Sequence, residues 1–208
     1  MIRGTESERL ARRSRVLLRW MQALLFIVGT LAIGYVAAVL LDAKLFQQAA
    51  NSALNKQMAA DEKSDVEQQQ ASPIRAPAKE GDVLGRIEIP RLGVMVAILE
   101  GTTSRTLRLG VGHIGGTALP GDAGNIGVAG HRDTYFRSLK DIHASDEILV
   151  QTATGLSHYQ VDWVRIVAPE DTGVLAPSND SALTLVTCYP FYYIGSAPKR
   201  FIVHARKV

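Results

Sequence analysis

The chain is poor in cysteine: Cys188 is the only one among 208 residues. A single thiol excludes an internal disulfide framework and the paired cysteines of a structural zinc site. The net charge is also small, at +3, and it is unevenly distributed. Residues 1–19 hold six arginines and two glutamates, a net of +4, which leaves −1 for the rest of the chain. The sequence therefore offers no basic groove for nucleic acid outside its N-terminal tail.

Short motifs that would indicate a cofactor lack the surroundings they need. Residues 110–115 fit G-x-G-x-x-G, but TALPGDAGN follows where a dinucleotide site requires a helix, so we interpret the glycines as a tight loop. Residues 131–133 spell the His-Arg-Asp of the kinase catalytic loop without the other kinase motifs. His113 and His131 have no cysteine pair or carboxylate set at metal-ligand spacing. We expect neither a metal nor a cofactor.

One long apolar run, WMQALLFIVGTLAIGYVAAVLL, occupies residues 20–41 and carries no charge. As a helix it would measure about 33 Å, enough to cross a hydrocarbon core of about 30 Å. Val36 and Ala38 loosely resemble a signal-peptide cleavage site, but signal peptides usually have shorter apolar regions, which favours a retained anchor. Because the arginines precede the run, the positive-inside rule predicts a single-pass cell-membrane protein. Its N-terminus would be cytoplasmic and residues 42–208 extracytoplasmic.

The composition divides the chain into four parts: a basic cytoplasmic tail (1–19), the transmembrane anchor (20–41), a stalk or linker (42–81) and a folded domain (82–208). The stalk begins with good helix formers, which predict an exposed helix. Pro73 and Pro77 then predict an extended stretch.

Residues 82–208 consist of short strand-like runs, which are typical of an all-β domain. The runs are GRIEIP (85–90), VMVAILE (94–100), GNIGVAGH (124–131), DEILVQT (146–152), HYQVDWVRIV (158–167), ALTLVTC (182–188) and RFIVHARKV (200–208). Residues 102–110 predict one short helix, with a threonine cap and Gly110 as its stop. About eight short strands with glycine and proline between them favour a closed barrel or a sandwich.

Cys188 ends one of these runs. A free cysteine is often a buried core residue. Outside the membrane, however, cysteines usually pair, so an unpaired one is either there by chance or reactive. In a strand, Thr184, Val186 and Cys188 share one face and the leucines share the other. Cys188 therefore stands at a strand end, where a side chain can open into a cleft.

A nucleophilic thiol needs a proton carrier and a group that stabilises an oxyanion. His131, after the strand-like GVAGH, can supply a proton to a leaving amine. Arg200 opens the last strand, twelve residues after Cys188, and offers several donors with a permanent charge. The residues alone leave other candidates open: His113, His143, His158 and His204 for the base, and Arg132 and Arg206 for the cation.

Three segments surround the candidate residues: TLVTC (184–188) ends with Cys188, AGHRDTYFRSL (129–139) contains His131, and APKRFIVHA (197–205) contains Arg200. They resemble segments of the sortases, a family of membrane-anchored cysteine transpeptidases. TLVTC matches the T-L-x-T-C signature of that family, and the other two are similar to the segments with the family histidine and arginine. The segments occur in family order, and the likeness covers roughly residues 82–208. TCYPFYYIGSAPKRF (187–201) is most similar to class D sortases. Ser145 stands where many relatives have a glycine in a tight turn, and we expect little consequence.

The resemblance implies a closed eight-stranded sortase-type β-barrel with short helices, preceded by one transmembrane helix. It implies Cys188 as the nucleophile that forms an acyl-thioester, His131 as general acid and base, and Arg200 as stabiliser of the oxyanion and substrate. The implied substrate is a secreted protein with an LPxT-type C-terminal sorting signal. The acyl group would pass to an amine of a peptidoglycan precursor or a pilin lysine.

Two alternatives remain beside the transpeptidase. The first is a cysteine peptidase that forms the same thioester and releases its product by hydrolysis. The second is a non-catalytic, membrane-tethered β-barrel that acts as a binding module. Thr187 and the backbone around Tyr189 are candidates for shaping an oxyanion hole, and residues 110–130 and 189–199 for substrate contacts.

Overall fold

The computed structural model describes the backbone of residues 4–64 and 77–208, and the side chains of residues 17–56 and 77–208. The chain forms two compact units, Met1–Lys44 and Leu45–Val208. One helix, α1 (Gly4–Ser64), contains a stretch, Leu17–Lys56, that is long and apolar enough to cross a membrane and that includes the predicted anchor. The extended stretch predicted around Pro73 lies outside the described residues.

Eight strands form the second unit and close into a barrel. The helices and strands after α1 are β1 (Val83–Ile89), β2 (Val94–Glu100), α2 (Ser104–Leu109), β3 (Val111–His113), β4 (Asn125–Ala129), β5 (Glu147–Thr152), β6 (Gly155–Val167), β7 (Ala182–Tyr189) and β8 (Lys199–Lys207), with short 3₁₀ helices at Pro90–Leu92, Arg137–Asp141 and Thr172–Leu175. The order around the barrel is β1-β2-β3-β4-β7-β8-β6-β5. The β2–β3 and β4–β7 pairs are parallel and the others antiparallel. The predicted closed all-β barrel is confirmed.

Alternate residues of each strand fill the barrel interior. In β2, Val94, Val96 and Ile98 point into the core, and Ala97 and Leu99 are buried on the outer face. Burying one such aliphatic side chain contributes about 2 kcal/mol to stability. Both faces of β2 are therefore apolar, which explains why VMVAILE shows no alternation of polar and apolar residues.

The outer face of β2 is covered by the C-terminal part of α1. Phe46, Ala50 and Leu54 follow one another at intervals of four residues and so share one helix face. Ala50 and Leu54 are buried, and Phe46 is partly buried. This part of α1 was predicted to be exposed, but it belongs to the second unit and packs its apolar stripe against the outer face of β2. The cluster consists of Phe46, Ala50, Ala97, Leu99 and Leu109.

Gln47 fixes this packing by hydrogen bonds at both ends of its side-chain amide. The Ala97 N–H donates to its Oε1 over 3.0 Å, and its Nε2 donates to the Leu109 carbonyl oxygen. Gly110 lets the end of α2 come close to β2, because a Cβ at that position would lie 2.6 Å from the Ala97 carbonyl oxygen. One amide side chain thereby ties α1 to β2 and to the end of α2.

The glycine-rich stretch differs from its prediction. The short helix α2 is confirmed, with the Thr103 side chain accepting from the Thr106 N–H at its start and Gly110 at its end. The residues after it form β3, not a tight loop. Gly112 lies so close to Gly101 that a Cβ would overlap the Gly101 carbonyl. These glycines allow strands to approach closely, which single-sequence patterns do not distinguish from turns.

Ser145 is the one non-glycine residue with a positive φ among the described residues, at 71°. It lies in the turn before β5, where its N–H donates to the Val161 carbonyl oxygen over 2.7 Å. The Asp146 carboxylate accepts from the His143 N–H and from Arg91, and the Arg91 hydrogen bond lowers the pKa of Asp146. The surrounding hydrogen bonds therefore hold a serine in a left-handed conformation that favours glycine.

We expect Ser145→Gly to stabilise the protein by about 0.5 kcal/mol. Relief of left-handed strain of about 1 kcal/mol is partly offset by the greater entropy of glycine in the unfolded chain. Thermal unfolding of the full chain in detergent should shift upward by about 1–3 °C. Ser157→Gly, in ordinary strand β6, is the matched control and should destabilise. A lower midpoint for Ser145→Gly would contradict the strain argument.

Candidate functional site

Cys188 lies near the end of β7, half-buried, on the outer face of the barrel. Leu183 and Leu185 of the same strand belong to the core, so the predicted division of β7 into two faces is correct. In the antiparallel pairing of β7 with β8, Cys188 is directly opposite Arg200. Directly paired residues have Cβ atoms about 5 Å apart on the same face. Cys188 and Arg200, twelve residues apart in sequence, are therefore side by side in the sheet.

His131 comes to the other side of Cys188 because β4 runs parallel to β7. Ala129 pairs with Val186, and the pairing continues as the Gly130 N–H donates to the Val186 carbonyl oxygen over 3.0 Å. Two residues beyond the Ala129–Val186 pair stand His131 and Cys188, and by strand alternation both lie on the same face. His131 is exposed. The barrel order β4-β7-β8 therefore places His131, Cys188 and Arg200 in one row across three neighbouring chain segments.

The segment around His131 is held by Thr187 of β7 and by Phe136, which follows His131 by five residues. The Thr187 hydroxyl donates to the Gly130 carbonyl oxygen over 2.7 Å, and Thr187 is 2% exposed. Phe136 is fully buried in the core, and a Cβ at position 130 would lie 2.5 Å from its ring. Glycine is therefore required at position 130. The buried Phe136 anchors the segment that runs from His131 to Phe136. Thr187 orients the His131 segment, and its hydroxyl is not free to line an oxyanion hole as we had expected.

We expect Thr187→Val to destabilise the protein by about 1–3 kcal/mol, because the buried Gly130 carbonyl loses its donor. Turnover of substrate should fall as well, since the displaced carbonyl precedes His131. Denaturant unfolding of the full chain in detergent measures the first effect. Thr187→Ser keeps the hydroxyl and should retain most of the stability. Equal stability of Thr187→Val and the unchanged protein would contradict this role.

The first threonine of TLVTC has a separate structural role. The Thr184 hydroxyl donates to Asn125 Oδ1 over 2.7 Å, and both residues are buried. The Asn125 amide in turn donates to the carbonyl oxygens of Val174 and Ala176. This network attaches the Thr172–Leu175 segment to β4 and β7. Thr184 and Thr187 thus stabilise the chain segments that carry Cys188 and His131.

The other histidines are engaged elsewhere. His113 is buried, with Nδ1 2.9 Å from a Glu100 carboxylate oxygen and Nε2 3.0 Å from the Ala118 carbonyl oxygen. The remaining three each contact a charged side chain within about hydrogen-bond distance. The contacts are His143 with Arg91, His158 with Glu147, and His204 with Asp162. Topology and these contacts leave His131 as the histidine beside Cys188.

The alternative cations are also engaged. Arg206 pairs with Asp162 over 3.1 Å, and Arg132 donates to backbone carbonyls of the loop that follows β7. Arg200 is half-buried, and its Nη1 donates to the carbonyl oxygens of Ala197 and Lys199. Among the described residues, its Nε and Nη2 atoms make no hydrogen bond and so could serve a ligand.

Aromatic side chains close the barrel next to Cys188. The Tyr189 and Phe201 rings stack with centroids 6.3 Å apart, and Phe191 meets Phe201 edge-on at 5.1 Å. Four residues after His131, the Tyr135 hydroxyl donates to the Leu109 carbonyl oxygen over 3.0 Å. Burial raises the pKa of Tyr135. Packed aromatic rings therefore lie beside Cys188, and the Tyr135 hydrogen bond holds the segment that follows His131.

The arrangement provides a thiol, an imidazole and a guanidinium on one face. These are the groups needed to form and resolve a thioester. Within residues 17–56 and 77–208, no group of three or more His, Cys, Asp and Glu side chains could hold a metal ion. The expectation of no metal or cofactor stays a prediction. The sequence did not predict the supporting roles of Thr187, Gly130 and Arg132. The only signal for Thr187 was its position in the TLVTC motif.

Comparisons with known proteins agree with this geometry. A family profile described as a sortase domain matches residues 87–208. Sortase D of Bacillus subtilis (strain 168) is 36% identical over 129 residues, which cover 62% of this chain and 65% of that protein. This chain therefore spans slightly less than two thirds of that relative.

Solved structures give the same result. The Sortase D5 transpeptidase of Clostridium perfringens has a TM-score of 0.63 and 29% identity, over 79% of this chain and 97% of that one. Sortase A of Corynebacterium diphtheriae has a TM-score of 0.58 and 30% identity, over 77% and 85% of the two chains. The predicted likeness to class D is confirmed by these matches. The fold, the matched profile and the similar proteins together establish that this chain belongs to the sortase family.

Proposed function

We propose that the protein is a cysteine transpeptidase in which Cys188 is the nucleophile, His131 the general acid and base, and Arg200 the stabiliser of oxyanion and substrate. The observation that carries the proposal is the row of these side chains across β4, β7 and β8, in the strand register that pairs Cys188 with Arg200. Membership of the sortase family supports it.

In the first half-reaction, the Cys188 thiolate attacks the threonine carbonyl carbon of an LPxT-type sorting signal near the C-terminus of a secreted protein. Arg200 pairs with Cys188 across β7 and β8, and its guanidinium donates to the developing oxyanion. His131 gives a proton to the leaving amine as the C–N bond breaks. The product is a thioester between Cys188 and the substrate.

In the second half-reaction, an amine attacks the thioester carbonyl and His131 accepts its proton. The C–S bond breaks, an amide forms, and the Cys188 thiolate is restored beside a protonated His131, as at the start of the first half-reaction. The acceptor class is an amine of a peptidoglycan precursor or the lysine of a pilin. These steps require no metal or cofactor, because Cys188, His131 and Arg200 supply the nucleophile, the proton carrier and the positive charge.

We infer that the apolar part of α1 anchors the protein in the cell membrane as a single span. The six arginines before the span support a cytoplasmic N-terminus under the positive-inside rule. The domain of residues 82–208 then acts outside the cytoplasm, where secreted substrates and cell-wall amines are found. The packing of Phe46, Ala50 and Leu54 makes the start of the proposed stalk part of the second unit.

The test is a cleavage screen with fluorogenic Leu-Pro-Xaa-Thr-Xaa peptides, using the full chain in detergent micelles. We expect turnover of a subset of peptides and a mass adduct of the acyl fragment on Cys188. Because the chain has one cysteine, the adduct can be assigned without ambiguity. Absence of both cleavage and adduct across the library would refute the proposal.

Product analysis separates the alternatives. With a lysine-containing or peptidoglycan stem peptide present, a transpeptidase yields an amide adduct, whereas a cysteine peptidase yields only the free acid. A non-catalytic binding module would form no thioester, and its function would survive alkylation of Cys188. The free thiol beside Arg200 favours the transpeptidase over the binding module.

A further inference from the structure

Arg132 directly follows His131 and reaches the β7–β8 loop, which comprises residues 190–198. Its Nη1 donates to the Pro190 carbonyl oxygen over 3.0 Å. Its Nη2 donates to the carbonyl oxygens of Tyr193 and Gly195, over 2.7 and 3.1 Å. One side chain therefore binds three carbonyls of a loop that lies about sixty residues later in sequence.

The cation also contacts an aromatic side chain of the same loop. The Arg132 Cζ lies 5.9 Å from the centre of the Tyr193 ring, within the range of a cation–π contact. Arg200 holds the other end of the loop through the Ala197 carbonyl. The loop is thus fixed from both flanks of the candidate site.

The loop needs such support because its own side chains are largely in solvent. Tyr192 is 76% exposed and Ile194 is 98% exposed, so burial of these side chains holds the loop very little. The loop begins two residues after Cys188 and ends two residues before Arg200, so it joins the two paired strand positions of the candidate site.

We propose that Arg132 is a positioning residue that holds the β7–β8 loop in the arrangement that accepts the sorting-signal peptide. The substrate in this inference rests on the proposed function, whereas the clamp itself rests on the hydrogen bonds. Without Arg132 the loop samples several arrangements, and only a fraction accepts peptide. If that fraction falls to about one tenth, the apparent affinity falls about tenfold. The chemistry at Cys188 should be unchanged, because the Arg132 guanidinium is engaged by three loop carbonyls.

The experiment compares Arg132→Ala and Arg132→Lys in the full chain in detergent, with Arg137→Ala as the exposed control from the same segment. For the library peptide with the highest turnover, Arg132→Ala should raise KM about tenfold and change kcat less than about threefold. Arg132→Lys should resemble it, because an ammonium does not span three carbonyls as a guanidinium does. The Arg137→Ala variant should match the unchanged protein.

A second readout needs no substrate. Limited chymotrypsin digestion, followed by mass spectrometry, should cut after Tyr192 or Tyr193 faster in Arg132→Ala, while iodoacetamide labels Cys188 at the unchanged rate. Equal digestion rates would overturn the clamp, and so would an unchanged KM or a loss of kcat alone. Faster digestion in a protein that cleaves no library peptide would refute the proposed function and leave the clamp standing.

Discussion

Replacing Cys188 with alanine is expected to abolish peptide cleavage and the acyl adduct, with turnover reduced at least about 10⁴-fold. The reason is chemical: the thioester cannot form without the sulfur, and alanine has no atom that can attack the carbonyl. The fold should survive, because Cys188 is half-buried on the outer face and its neighbours in β7 keep their pairing with β8. Cleavage assays and far-UV circular dichroism of the full chain in detergent measure both effects.

Val186→Ala is the matched control, since Val186 lies two residues earlier on the same face and the same strand. Its turnover should stay within a few-fold of the unchanged protein. Alkylation of the only thiol with iodoacetamide should reproduce the Cys188→Ala result without any mutation. Full activity of either the alanine variant or the alkylated protein would remove Cys188 from the reaction.

Replacing His131 with alanine is expected to slow turnover by about 10²–10⁴-fold, because the leaving amine loses its proton donor. The thiol remains present, so a slow reaction and a weak adduct should persist. Steady-state kinetics with the same peptide measure the loss. Because His131 is exposed, the unfolding midpoint should change little.

His158→Ala tests whether the effect belongs to this histidine. His158 is also exposed, and it contacts Glu147 on β5, away from the β4-β7-β8 row. Its variant should keep turnover within about twofold of the unchanged protein. Comparable losses in both variants, or a His131→Ala enzyme with full activity, would show that the proton carrier is another group.

Local patterns predicted most of the strands and the ends of the short helix. In α2, Thr103 and Gly110 act at the positions where capping preferences put them. In β7, alternation placed the leucines inside and Cys188 outside. Strand β3 was missed because Gly112 serves a close approach to Gly101, and that neighbour is brought there by strand pairing rather than by local sequence.

The helix after the anchor shows the same limit. Its residues favour helix on propensity alone, and the helix is present. Whether one face is buried depends on what lies opposite, and the apolar outer face of β2 is recognisable only once the barrel has closed. Gln47 illustrates the point: its two hydrogen-bond partners, Ala97 and Leu109, are about fifty and sixty residues away in sequence.

The sequence by itself determined the apolar span, the all-β domain and the family, because each of these depends on residues that are near one another in the chain. It also named Cys188, His131 and Arg200 through short motifs. Only the tertiary structure decided which histidine and which arginine stand beside the thiol, since that choice depends on strand order. The parallel pairing of β4 with β7 and the antiparallel pairing of β7 with β8 bring three distant segments into one row. Long-range backbone pairing is a cooperative property of the closed barrel, and no local pattern contains it.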